Sequence, residues 1–196
     1  MSANLTFDER LFLWLNFDGG AATDWIMSTV SGTARWIPLY LFIFFAVQRK
    51  YGWKAMAAFI VCLALAMGLS DMLCGVFKHT GLLKNLWADF PARHRPMFDS
   101  AVRDLAHVVS FRHGPYGTVS AHAATTAALG VISAMAIRKK WYSIAITLIV
   151  LLICYSRIYL ACHFPKDIIL GLVVGLISGY LMYLLWRKLD SLLKNR

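Results

Sequence analysis

The chain has 196 residues, of which 59% are hydrophobic and only 15% charged, with a mean hydropathy of +0.60; soluble domains carry about 45–50% apolar residues. Lys and Arg outnumber Asp and Glu by 20 to 10, yet no basic block with interleaved aromatics stands in a polar context, which argues against a nucleic-acid partner. What remains is a polytopic membrane protein whose cations anchor helix ends or meet an anionic substrate.

At the N-terminus, MSANLTFDER lacks a positive segment followed by an apolar core, so no cleavable signal peptide is expected. Leu5 to Asn16 mixes Phe7, Leu11, Phe12 and Trp14 with Asp8, Glu9 and Arg10. It is too short to span about 20 residues of bilayer and reads as an interfacial amphipathic helix. Asp18-Gly19-Gly20 ends it.

Five apolar stretches follow, at about 24–47 (interrupted by Arg35), 55–77, 118–137, 141–161 and 165–186. They predict an all-α bundle of about five transmembrane helices plus the N-terminal interfacial helix, forming one domain over 1–196. Between Lys78 and Gly117 lies a polar segment far longer than an ordinary connection, the kind that carries function. Cys62, Cys74, Cys154 and Cys162 show no metal or redox spacing and read as unpaired thiols. Neither a metal nor a cofactor is expected, and the oligomeric state is not legible.

Arg49, Lys50 and Lys54, then Arg138, Lys139 and Lys140, then the tail with Arg187, Lys188, Lys194 and Arg196 fall on one face of a five-span protein. The positive-inside rule assigns that face to the cytoplasm. The long loop and the 161–166 turn then share the outer face.

That outer face collects the chemistry. In Ser156-Arg157-Ile158-Tyr159-Leu160-Ala161-Cys162-His163-Phe164-Pro165-Lys166-Asp167, charge sits where two apolar helices meet, which is costly in lipid and marks function. Pro165 suits a first helical turn, which sets Asp167 at the positive end of a helix. A carboxylate four residues after His163 is expected to accept from one ring nitrogen and free the other to attack phosphorus. Arg157 matches phosphate geometry bidentately. The second piece is Gly117-Thr118-Val119-Ser120-Ala121-His122, a helix start whose amides suit an anion, with Ser120 as hydroxyl donor and His122 as general acid. In the third, Arg93-His94-Arg95-Pro96 with Lys78 upstream, two arginines offer donors to a phosphate or diphosphate.

These residues resemble the type 2 phosphatidic acid phosphatase (PAP2) superfamily of membrane lipid phosphatases, which share site geometry with vanadium haloperoxidases. The family pattern is K-x6-R-P, then P-S-G-H, then S-R-x5-H-x3-D. The last is matched in full by Ser156, Arg157, His163 and Asp167; the second keeps Ser120 and His122 but has Val119 for proline and Ala121 for glycine. The first keeps Arg95-Pro96, while Ala88 stands where the lysine is usual; Lys78, at an apolar helix end, is taken as its counterpart ahead of Lys84. An insertion before Arg93 accounts for the spacing, and its residues near Trp87 and Phe90 could form a lipid-contacting flap.

The resemblance covers about 55–185 and implies a metal-independent phosphatase working through a phosphohistidine. His163 would be the nucleophile, His122 the acid, Asp167 the orienter, and Lys78, Arg95, Arg157, Ser120 and Ala121 the phosphate site. Its substrate would be a membrane lipid phosphate entering from the bilayer. Small bacterial members of this shape act on undecaprenyl diphosphate, the first expectation, at the outer side of the inner membrane. Lipid A, phosphatidate or phosphatidylglycerophosphate are the alternatives, with the 101–116 stretch expected to choose among them. A non-catalytic transporter or scaffold that kept a phosphate site is the reading from a different class.

Overall fold

The computed structural model describes residues 5–78, 81–87, 92–110 and 114–194, with Lys84 described by its backbone alone. Phe90 of the expected flap and Arg112 of the long loop lie outside them.

The N-terminal helix forms as expected. Helix α1 (Phe7–Leu15) begins with a capping box in which the Thr6 side chain accepts from the Glu9 amide and Glu9 accepts from the Thr6 amide. It buries Phe12 and exposes Phe7, Trp14 and, just beyond its end, Phe17. The expected first span is instead broken. Helix α2 (Gly20–Ser31) gives way to a 3-10 turn over Thr33–Trp36, and α3 (Ile37–Tyr51) leaves at 71° to α2. Gly32 takes up an extended conformation at the break, and Pro38 in the first turn of α3 has no N–H with which to continue a helix through it.

Helices α4 (Trp53–Val76), α7 (Lys140–Tyr159) and α8 (Pro165–Lys194) are each long and apolar enough to cross a membrane, and the bent α2–α3 pair is a fourth candidate span. Helix α6 (Ala121–Ile137) has 17 residues, ten of them buried; it is short for a span and sits enclosed by α4, α7 and α8. The short α5 (Leu82–Leu86) follows α4. Among the described residues there is a single isolated β-bridge and no strand.

Glycine lets α6 and α8 approach backbone to backbone. A Cβ at Gly171, Gly175 or Gly179 would lie 2.4, 2.1 or 2.7 Å from the carbonyl oxygen of Ser120, Ala124 or Ala128. This is the small-residue packing that membrane helices use in place of a hydrophobic driving force. Gly175→Val is expected to destabilise the bundle by about 1–3 kcal/mol through overpacking. Unfolding by titrated denaturing detergent would measure it, and an unchanged midpoint would contradict the packing argument.

The two ends of the bundle differ. At one, Lys50 donates to the carbonyls of Ala136 and Ile137 at 3.1 and 2.9 Å, closing the C-terminus of α6 where a cation is favoured. Arg138 and Arg187 line a cleft at this same end. At the other end, α4 stops, α6 and α8 start, and α7 terminates. Those four ends build the site.

Candidate active site

Three backbone devices bring the sequence motifs together. Helix α7 ends with Ala161 in the left-handed region (φ 51), uncommon for a residue with a side chain, and the amides of Cys162 and His163 turn back onto the Arg157 carbonyl at 2.9 and 3.3 Å. Ser120 caps α6, its hydroxyl accepting from the Ala123 amide at 3.3 Å, while its own amide donates to the Asp167 carbonyl at 3.1 Å. The third is a short antiparallel pairing of 93–95 with 115–117. Arg95 N donates to Pro115 O at 2.8 Å and Gly117 N to Arg93 O at 3.0 Å, and the His94 and Tyr116 rings stack.

His163, only 3% exposed, is the centre. Its Nδ1 lies 3.0 Å from the Gly117 carbonyl oxygen and its Nε2 lies 2.9 Å from Arg95 Nη1. A carbonyl can only accept and a guanidinium can only donate, so the two neighbours fix the tautomer: the proton is on Nδ1 and the lone pair on Nε2. Gly117 therefore supplies the orienting bond expected of Asp167, whose carboxylate stands 3.7 Å from Nδ1. The Asp167 Oδ2 instead accepts from the Phe164 amide at 3.0 Å, capping α8, and the carboxyl lies close to the ring. Gly117 also has no room for a side chain, since a Cβ there would meet Arg95 Cγ at 2.8 Å and the His163 ring at 3.3 Å.

Burial, followed by the positive charges of Arg95 and Arg157, holds the His163 imidazole well below its ordinary 6.5. A depressed pKa keeps the ring neutral while pH falls through the mid-sixes, so the Nε2 lone pair persists on the acid side. Nitrogen shifts of histidine-labelled protein at pH 6 are expected to show His163 as the neutral Nδ1–H tautomer; an imidazolium there would contradict this.

Arg157, buried, hydrogen-bonds through Nη1 to Ser31 Oγ at the end of α2. It lines, with His122, Cys162, Ser110, Ser28 and Thr33, a cleft of about 570 Å³. A second, narrow cavity of about 70 Å³ runs from Ser31 and His122 between α3, α6 and α7, past Trp36, Tyr40, Thr126 and Ile149. The first amides of α6, at Ala121 and His122, precede the first intrahelical bond, Ala124 N to Ser120 O, and such a helix start suits an anion. Ser120 uses one oxygen lone pair on the cap and keeps its proton to donate.

Among the described residues, two expected members are not bonded to His163. Arg93 turns away from the histidine: Nη1 bonds Asp8 Oδ2 at 2.6 Å, and its guanidinium lies on the Phe164 ring, 3.6 Å from the centroid. Lys78 follows α4 beside Phe77, which packs against Val119 and Ala121; among the described residues its side chain makes no hydrogen bond or ion pair. Sequence reasoning also missed Asn16. Its Nδ2 donates to the carbonyls of Ile158 and Tyr159, at 3.2 and 2.6 Å, and its Oδ1 accepts from the His107 amide at 2.7 Å. Asn16 thereby ties the end of α7 to the long loop. A lone Asn after an amphipathic helix gives no signal of that.

A histidine whose lone pair is set on Nε2, with two arginines, a second histidine and a helix N-terminus near it at one end of the bundle, is an arrangement suited to a phosphate group. The PAP2 superfamily pattern matches residues 59–191, and the chain belongs to that superfamily of membrane phosphatases. It is 30% identical to a lipid A 4'-phosphatase of Bacteroides thetaiotaomicron over 189 residues, covering 96% of this chain and 80% of that one. An undecaprenyl-diphosphatase of Sulfolobus acidocaldarius is more distant, 25% identical over 176 residues and covering 88% of this chain and 75% of that one. The crystal structure of Aquifex aeolicus LpxE shares the fold, with a TM-score of 0.65 at 20% identity, covering 91% of this chain and 96% of that one.

Proposed function

We propose that this lipid phosphatase removes the 4'-phosphate of lipid A through a phosphohistidine on His163, at the outer face of a bacterial inner membrane. The observation that carries the reaction is the His163 tautomer, with its lone pair on Nε2 beside Arg95. The substrate rests on the 30% identity to a lipid A 4'-phosphatase across 96% of the chain. That extent reverses the order expected from the motifs, and undecaprenyl diphosphate becomes the second reading. The outer face follows from the clustered cations at the opposite end of the bundle.

The incoming phosphate takes over the Arg95 hydrogen bond and so uncovers Nε2. Nε2 then forms the P–N bond while the P–O bond to the lipid breaks, and His122 gives its proton to the departing oxygen. Neutral His122 next takes a proton from water, whose oxygen attacks phosphorus; the P–N bond breaks and phosphate leaves. Arg95, Arg157, Lys78 and the Ser120–Ala121 turn stabilise charge on the equatorial oxygens, where positioning and electrostatics supply most of the rate in phosphoryl transfer. The Gly117 carbonyl and the Asp167 charge favour the positive imidazole that forms.

The test is phosphate release by purified protein in detergent with EDTA, from lipid A, undecaprenyl diphosphate, phosphatidate and phosphatidylglycerophosphate. Lipid A is expected to be hydrolysed with the highest kcat/KM, leaving the 1-phosphate in place. A preference for undecaprenyl diphosphate would sink the substrate assignment and spare the chemistry. Release from none of the four by folded protein would restore the transporter or scaffold reading.

A further inference from the structure

The N-terminal helix reaches the catalytic loop through a charge chain that neither motif nor family pattern contains. Asp8 of α1 accepts from Arg93 Nη1 through Oδ2, at 2.6 Å, and from the Lys166 amide through Oδ1, at 3.0 Å. Residues 8 and 166 are far apart in sequence, and the second bond fastens α1 to the first turn of α8, three residues after His163 and next to Asp167. Arg93 in turn stands 3.5 Å from Asp167 Oδ1 and sits over the ring of Phe164, the residue after His163. Phe12 of α1 meets the same Phe164 ring edge-on at 5.3 Å. Both faces of α1 are therefore committed: Asp8 and Phe12 inward to the loop that carries His163, Phe7 and Trp14 outward, 73% and 75% exposed, as an interfacial helix presents its aromatics to lipid.

We infer that Asp8 and Arg93 are positioning residues for the phosphatase reaction, and that docking of α1 on the lipid surface is coupled through them to the geometry of the His163–Asp167 loop. The uneven distances give the physical reason. A guanidinium free to choose would shorten its 3.5 Å contact with the buried Asp167 to a charge-assisted hydrogen bond. Asp8 holds it at 2.6 Å and leaves Asp167 with a longer contact, so that the Asp167 carboxylate keeps its cap on α8 and its place behind the His163 ring. Losing the Asp8 charge releases Arg93 onto Asp167 and draws that carboxylate away from the imidazole.

The inference rests on His163 as the nucleophile, and a small soluble phosphomonoester, which needs no contact with α1, keeps the two apart. Asp8→Asn retains an acceptor for the Lys166 amide and removes only the charge. It is expected to lower kcat on the soluble ester at least about tenfold with KM within about threefold. Asp8→Glu should recover most of the loss, and Asp8→Asn with Arg93→Gln should be no slower than Arg93→Gln alone. Rates are taken per folded protein, from the monodisperse fraction in detergent. An Asp8→Asn protein with unchanged kcat on the ester overturns the proposal. So does a defect confined to KM for lipid in vesicles, which would make α1 a membrane anchor and nothing more. If His163→Ala is inactive while Asp8→Asn is fully active, only this inference falls; an active His163→Ala brings down the reading beneath it.

Discussion

His163→Ala is expected to lower phosphate release by at least roughly 10⁴-fold, the scale on which losing a nucleophile acts. The residue is 3% exposed and contributes both the attacking lone pair and the bond to Gly117 that aims it. Alanine leaves Arg95 and Arg157 in place, so the protein should still bind phosphate while turning none over. His163→Gln is the sharper variant. Its amide can satisfy Gly117 and Arg95 yet has no nucleophilic nitrogen, so normal folding with the same loss of rate would separate chemistry from packing. Activity within tenfold of wild type in either protein would sink the mechanism.

Arg157→Lys is expected to cost about 10²–10³-fold in kcat, or about 3–4 kcal/mol, the range seen when one preorganised donor is removed from a developing anion. Charge is conserved in this change, and geometry is not. The guanidinium presents a fixed fork that bonds Ser31 and still faces the cleft beside His122; a lysine has a single ammonium that cannot serve both. The Arg157 carbonyl, which collects the amides of Cys162 and His163, is backbone and survives the substitution. The loop should therefore keep its shape, and thermal unfolding in detergent should shift little. A lysine variant with wild-type kcat would show that Arg157 acts as a bulk charge alone.

What the sequence made legible follows from how far each signal reaches. The helices at α4, α6, α7 and α8, of 17 to 30 residues, are built on long, largely apolar stretches. The His163 loop was legible because Pro165 and Asp167 encode a helix start and Arg157 cannot lie in lipid without a purpose. The corner between α2 and α3 escaped notice because Ser28, Thr29, Ser31, Gly32 and Thr33, which stand at it, are small residues that a packed membrane helix also tolerates. Gly117 as the partner of His163 was hidden for another reason: the acceptor is a carbonyl, which every residue owns. Arg93 and Asp8 are the clearest case. Both carry charges that composition assigns to a solvated loop and an interfacial helix, and only the folded chain brings them within 2.6 Å of each other. The substrate order was likewise beyond the motifs, because the reacting phosphate is common to every candidate lipid.

The most direct measurement is chemical trapping of the intermediate. Purified protein is mixed with lipid A labelled with ³²P at the 4'-phosphate, quenched in alkali within the first turnover, and digested. The account predicts label on His163, stable in alkali and lost in acid, as a phosphoramidate must be, and absent from His163→Gln. Water oxygen reaching the product with no labelled enzyme at any time point, or label on another residue, would contradict it.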